Sequence, residues 1–160
     1  MQVRLAAPTD ADAIWAILEP VIRAGETYAL DRAMGRDAAL AYWLDADKRT
    51  FVAHEGNRIL GTYYMRANQA GGGAHVCNCG YMTAASATGR GVARAMCADS
   101  LSRALAAGFK AMQFNFVIES NVRAVALWHA FGFVEVGRLP RAFDHPTLGL
   151  VDALVLHRFL

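Results

Sequence analysis

The chain has 160 residues, 55% hydrophobic and 19% charged, which is enough apolar material for a buried core and too much for a disordered segment. Sixteen Lys and Arg against fourteen Asp and Glu leave a formal charge of +2, too weak a field to point to nucleic acid or a membrane surface as partner. Mean hydropathy is +0.21, raised by alanine-rich helices. No apolar run approaches the ~20 residues of a spanning helix, and Met1-Gln-Val-Arg-Leu has no signal-peptide layout. One domain over residues 1–160, cytoplasmic, is therefore the expectation.

In chain order, Val3 to Leu5 reads as a short strand. Thr9 and Asp10 then start a helix whose apolar residues Ile14, Leu18, Val21 and Ile22 recur at helical spacing, and Gly25 ends it. Asp37 to Leu44 predicts a second helix. Thr50 to His54 and Ile59 to Arg66, joined by Glu55-Gly56-Asn57, predict a hairpin. The Gly71-Gly72-Gly73 run reads as a flexible tip, followed by a strand from His75 to Thr83. Gly89 to Ala107 predicts the longest helix, with Val92, Met96, Leu101 and Leu105 on one side and Gly108 as its C-terminal cap. Ala111 to Ile118 is a strand, Asn121 opens a helix closed by Gly132, and Phe133–Leu139 and Leu150–Arg158 are final strands. The order β-α-α-β-β-β-α-β-α-β-β implies an α/β fold with a mixed sheet and helices packed on it.

Cys77, Cys79 and Cys97 are odd in number and build no disulfide framework. His75, Cys77 and Cys79 share one strand face, but their spacing is not that of a zinc site and no second ligand pair exists. No metal is expected, and the thiols read as buried and reduced.

The segment Thr88-Gly89-Arg90-Gly91-Val92-Ala93-Arg94 joins a strand to a helix. Unpaired N–H groups and partial positive charge at a helix start, with glycines allowing close approach, suit a diphosphate. Arg90 and Arg94 add charge at the rim. The segment is neither a P-loop nor a dinucleotide fingerprint, since the first needs a Lys and the second a third glycine. About thirty residues later comes Asn121-x-x-Ala124-x-x-Leu127-Trp128-x-x-x-Gly132-Phe133.

In these two constellations and in element order, the chain resembles a GCN5-related N-acetyltransferase (GNAT) over nearly its full length. The resemblance implies the GNAT fold: a mixed, mostly antiparallel sheet of six to seven strands, helices on both faces and a splayed central strand pair. It also implies acetyl-CoA as cosubstrate. The family's Gln/Arg-x-x-Gly-x-Gly/Ala signature falls on Thr88 to Ala93. Gly91 and Ala93 match and Thr88 departs, which touches a side-chain contact rather than the main-chain cradle from Gly89 through Val92 to Arg94. The splayed strand would be Cys79 to Thr83, with Tyr81, Met82 and Thr83 nearest the cofactor and N–H groups near Met82 and Thr83 facing the developing oxyanion. Asn121 matches an Asn that touches the CoA arm. Trp128 stands where many members carry a Tyr that protonates the leaving thiolate. Indole is no such acid, so Tyr81 or a water is the alternative donor, and Trp128 is read as packing on the cofactor.

Asn78, Asn115 and Asn121, with the ending Gly149-Leu-Val-Asp-Ala-Leu-Val, resemble acetyltransferases acting on azetidine-2-carboxylate and other proline analogues. That resemblance places Asn78 and Asn115 at the substrate and acetyl site; a satisfied core amide is the other reading of Asn115. Glu26, Thr27 and Tyr28 lie in the linker where such enzymes gather substrate groups, and Tyr64, Arg66 and Asn68 approach from the third strand. Arg66 suits a substrate carboxylate. His145, Asp144 and Glu119 are further candidates, Glu119 as a base. The expected reaction is direct attack of a small-molecule amine on the thioester in a ternary complex. A non-catalytic CoA-binding or sensory module is the alternative. Similar enzymes are often homodimers, and the apolar carboxy-terminal strands could support one here.

Overall fold

The computed structural model describes residues 1–160. Seven strands, β1 (Gln2–Leu5), β2 (Arg49–Glu55), β3 (Arg58–Ala67), β4 (Val76–Thr83), β5 (Ala111–Ile118), β6 (Val134–His145) and β7 (Gly149–Phe159), alternate with four helices in the expected order. The helices are α1 (Ala11–Ala24), α2 (Arg36–Trp43), α3 (Val92–Ala106) and α4 (Val122–Ala130). The strands form one sheet in the order β1-β2-β3-β4-β5-β7-β6. Every neighbouring pair is antiparallel except β4 and β5, which are parallel.

Strand alternation assigns side chains to two layers. Phe51, Ala53, Tyr63, Met65, Cys77, Cys79, Met112 and Phe114 turn towards α3 and α4, where Val92, Met96, Cys97, Ala104 and Trp128 meet them. Val52, Tyr64 and Met82 turn the other way, onto Ile14, Leu18 and Ile22 of α1 and Leu40 and Trp43 of α2. Each of the larger residues, fully buried, contributes about 1.5–3 kcal/mol by removal from water. The three thiols lie inside, free and buried. Trp43 is anchored as well as packed. Its indole N–H donates to Thr62 Oγ1 at 3.0 Å, and its carbonyl accepts from Thr50 Oγ1 at 2.8 Å.

Four details differ from the sequence reading. Leu105 is 60% exposed; α3 buries Val92, Met96, Cys97, Ser100 and Ala104 instead. Gly61 lets β3 approach the start of this face: a Cβ there would lie 2.7 Å from Val92 Cγ1 and 2.8 Å from Met96 Cε. The regular helix begins at Val92, since Gly91, its N-cap, has a φ of 76°. Gly71–Gly73 form a 3-10 turn. Strand β6 runs on to His145 past a register shift between Leu139 and Phe143. There Arg141 adopts a φ of 51°, held by its N–H donating to Asp152 Oδ1 at 2.9 Å.

At the other edge, Arg4 on β1 grips Asp10 with two bonds of 2.7 and 2.9 Å, and Ala7 N–H adds one of 2.7 Å. The Arg4 hydrogen bond is the main reason the Asp10 carboxyl titrates below the usual carboxylate range. A depressed carboxyl stabilises the fold above its ordinary pKa and loses that contribution as pH falls through the range. Asp10→Asn should therefore cost about 1–2 kcal/mol at neutral pH. The difference from wild type should shrink as pH falls through the carboxylate range, as urea unfolding across that range would show.

Candidate active site between the splayed strands

The β4–β5 ladder holds only Val76 with Ala111 and Cys77 with Met112. Beyond these pairs the strands part, although β4 stays paired with β3 as far as Thr83 and β5 with β7 as far as Ile118. Asn78 sits at the fork. Its Nδ2 donates to the Gln113 carbonyl across the opening at 2.8 Å, a side chain replacing the next ladder bond.

The opening widens into a cavity of about 300 Å³. Cys79, Gly80 and Tyr81 line it from β4, and Phe114 to Ile118 from β5. Asn121, Ala124 and Trp128 of α4 close one side. Thr27 to Leu30 of the α1–α2 linker, Tyr42 of α2, and Tyr64 and Arg66 of β3 close the other. Gly80 is required here, since a Cβ would lie 2.7 Å from the Tyr64 ring. Nine of the anticipated residues thus meet in one space: Thr27, Tyr28, Tyr64, Arg66, Asn78, Tyr81, Asn115, Asn121 and Trp128. Tyr42, Leu30, Phe116 and Val117 carry no motif; only the closeness of α2, β3 and β5 in space brings them here.

Arg66 is the only charged residue on the cavity wall. Its Nη1 reaches Asp47 Oδ2 at 3.0 Å, while its Nε is buried without a hydrogen-bond partner. Behind Tyr42 and Tyr64, Lys48 Nζ lies 4.1 and 5.1 Å from their ring centres, and burial lowers its pKa.

Asn115 is neither a buried core amide nor isolated. It is exposed at the bulge where β5 shifts register, and it links two other amides. Gln113 Nε2 donates to Asn115 Oδ1 at 2.9 Å, and Asn115 Nδ2 donates to Asn68 Oδ1 at 2.7 Å. Asn78 is 8% exposed, with its Oδ1 uncommitted on the cavity wall.

The Tyr81 hydroxyl points away from the opening, 2.7 Å from Ser100 Oγ of α3, and burial raises its pKa well above that of a free phenol. Trp128 packs on it, ring centres 5.0 Å apart, and on Phe114 at 4.9 Å. The Tyr81 peptide edge does face the opening, because its N–H donates to the Tyr28 hydroxyl at 2.7 Å. By two-residue alternation the Met82 peptide faces β3, and its side chain is buried against α1 and α2. The edge residues are therefore Tyr81 and Thr83, not Met82.

The turn before α3 is bound up with main-chain geometry. Gly89 and Gly91 have φ of 78° and 76°, and a Cβ on either would meet nothing within 4 Å. The N–H groups of Val92, Ala93 and Arg94 have no partner in the chain, and no side chain caps the helix. That is a preformed anion cradle of main-chain donors, and it fits a diphosphate. Thr88 is exposed beside it. Arg90 is paired with Glu55 Oε2 at 2.6 Å, and Arg94 lies over the Phe131 ring at 5.4 Å. Asn121 caps α4, accepting from Ala124 N–H at 3.4 Å.

The remaining candidates lie elsewhere. Glu26 is exposed and off the cavity wall. Glu119 is 2.8 Å from Arg138, outside the cavity. Asp144 and His145 belong to the β6–β7 hairpin, with His145 Nδ1 accepting from Thr147 N–H at 3.3 Å.

A family model described as the acetyltransferase (GNAT) family matches residues 14–133. The chain is 27% identical over 153 residues to N-acetyltransferase aca1 of Schizosaccharomyces pombe, covering 84% of this chain and 72% of that protein. The structure of a GCN5-related N-acetyltransferase from Kribbella flavida superposes with a TM-score of 0.95 at 43% identity, covering 99% of this chain and 97% of that one. A GNAT superfamily phosphinothricin acetyltransferase from Sinorhizobium meliloti, solved in complex with acetyl-CoA, shares the fold at a TM-score of 0.85 and 19% identity, over 99% of this chain and 88% of that one. With its cradle before α3, its forked strands and a family match across most of its length, the chain belongs to the GNAT family and is an acetyl-CoA-dependent acetyltransferase.

Proposed function

We propose that the acceptor is a small amine bearing a carboxylate, such as an amino acid or a proline analogue, and that it attacks the thioester directly in a ternary complex. The observation that carries this reading is Arg66. It is the only charge on the cavity wall, and its buried Nε lacks a partner. A carboxylate there gains a charge-assisted bond, and no acid on the wall attracts a polycation such as a polyamine.

In this reading the main-chain donors of the turn from Gly89 to Arg94, apart from the Arg90 N–H, which donates to the Ala87 carbonyl at 3.2 Å, hold the CoA diphosphate, and the Tyr81 peptide edge faces the pantetheine arm and thioester. Acetyl-CoA supplies an activated acyl group on a good leaving thiolate, since a thiol pKa near ~8.5 leaves little need for an acid. Tyr81 is not that acid, because its hydroxyl is engaged with Ser100. Asn78 Oδ1 accepts an N–H of the amine and so turns the nitrogen lone pair towards the fork. Asn115, held between Gln113 and Asn68, orders the polar wall beside it. Trp128 and Phe114 keep the floor apolar.

No carboxylate or histidine lines the cavity, so the proton of the amine leaves through water. The pH profile of kcat/KM should therefore follow the acceptor's own ammonium pKa. Measured with two acceptors of different basicity, the rising limb should move with the acceptor. A limb fixed at one pH for both would reveal an enzyme base.

Arg66→Met keeps the apolar stem and removes the charge. It should raise KM for an amino-acid acceptor more than about tenfold, one charge-assisted bond's worth, and leave both KM for acetyl-CoA and turnover of an uncharged amine near wild type. Equal losses with both acceptors would sink the carboxylate assignment. Gly91→Glu puts a negative charge in the cradle and should abolish acetyl-CoA binding by calorimetry. Gly91→Ala, which carries the cost of a positive φ of about 1 kcal/mol or more, should lose stability but retain measurable binding.

A further inference from the structure

Tyr81 stands where β4 has lost its neighbour, and a strand edge without a ladder leaves one N–H and one C=O to be satisfied. One side chain satisfies both. The Tyr28 hydroxyl accepts from Tyr81 N–H at 2.7 Å and donates to Tyr81 C=O at 2.9 Å. It reaches across from the α1–α2 linker, fifty-three residues away in sequence. A hydroxyl offers one donor and two acceptor sites, so a single group completes what a paired strand would otherwise supply.

We propose that the Tyr28 hydroxyl is an intramolecular stand-in for the carbonyl oxygen of the acyl donor, seated on the Tyr81 N–H, and that acetyl-CoA must displace it to bind. The inference rests on the cofactor placement proposed above. The Tyr81 N–H carries one hydrogen, and at 2.7 Å the phenol oxygen occupies it. A donor arm adding to this edge takes the same hydrogen, as in strand addition to an open sheet edge.

The displaced ring cannot sink further into the protein. It already lies edge-on to the fully buried Trp43, centres 6.1 Å apart. It must move with its own segment, Thr27 to Leu30, which walls the acceptor side of the cavity. Arg23, at the end of α1, clamps the two ends of that linker together through its Nη1 to the Arg32 and Met34 carbonyls, so a shift of Tyr28 is taken up by the loop between them. Tyr28 thus couples the occupancy of the Tyr81 edge to the shape of the acceptor pocket.

Calorimetry on the whole chain with two ligands tests this. Acetyl-CoA reaches the edge, whereas the phosphoadenosine diphosphate part of CoA, lacking the pantetheine arm, reaches only the cradle. Tyr28→Phe keeps the ring against Trp43 and removes the competitor. It should bind acetyl-CoA about fivefold tighter, roughly one net hydrogen bond, and bind the armless nucleotide as wild type does. In wild type labelled with fluorotyrosine, the Tyr28 resonance should shift on saturation with acetyl-CoA and stay put with the armless nucleotide. This second measurement holds whether or not the variant folds. Acetyl-CoA binding no tighter in folded Tyr28→Phe, or a Tyr28 resonance unmoved at saturation, would overturn the stand-in while leaving the cofactor site intact. Failure of wild type to bind either ligand would overturn the cofactor placement and this inference with it.

Discussion

The parallel ladder between β4 and β5 stops after two residue pairs, and the rest of the site follows from that stop. Two strands that remain bound to their outer neighbours but not to each other expose polar main chain inside the protein. Such groups must find partners. Asn78 closes the fork with one side-chain bond and Tyr28 covers the Tyr81 edge with two. The gap is thereby stable without ligand yet made of contacts a ligand can replace.

The two faces of the sheet divide the work at this gap. On the α3 side the wall is apolar and stiff: Tyr81, Phe114, Trp128 and Phe133 form a contiguous aromatic group, with Phe114 and Phe133 stacked at 4.4 Å. Such rings position an arm without binding charge. On the α2 side the wall is polar at its tips, with the hydroxyls of Tyr42 and Tyr64 3.5 Å apart and Arg66 alongside. The turn before α3 lies apart from both, and there the N–H groups of Val92, Ala93 and Arg94 have no partner in the chain. In the proposed reading, a chain with a net charge of only +2 meets a polyanion with main-chain dipoles. The donors are N–H groups that composition does not count.

Element order and the type of each element were legible in the sequence because they rest on local rules. Gly25, Gly91 and Gly132 take positive φ where the chain turns, and helical and alternating spacing separated the helices from the strands. The glycine turn before α3 could be read for the same reason, since a glycine pair before a helical run is a local signal. The buried face of α3 was misjudged at Leu105 because Ser100 and Ala104, small residues that add little to an apolar periodicity, continue the four-residue spacing of Val92 and Met96 against the sheet.

The sequence by itself determined that a glycine turn would lead from strand into the longest helix, that Asn121 would cap the following helix, and that no tyrosine would stand at position 128. Tertiary structure decided which peptide edges face the opening, putting Tyr81 there and turning Met82 towards β3. It drew Tyr42 and Tyr28 into the wall, tied Arg90 to Glu55, and left Glu26, Glu119 and His145 outside. The division has one physical cause. Backbone conformation is set within a few residues, whereas the direction of a strand's free edge and the pairing of charges depend on which distant segment packs alongside.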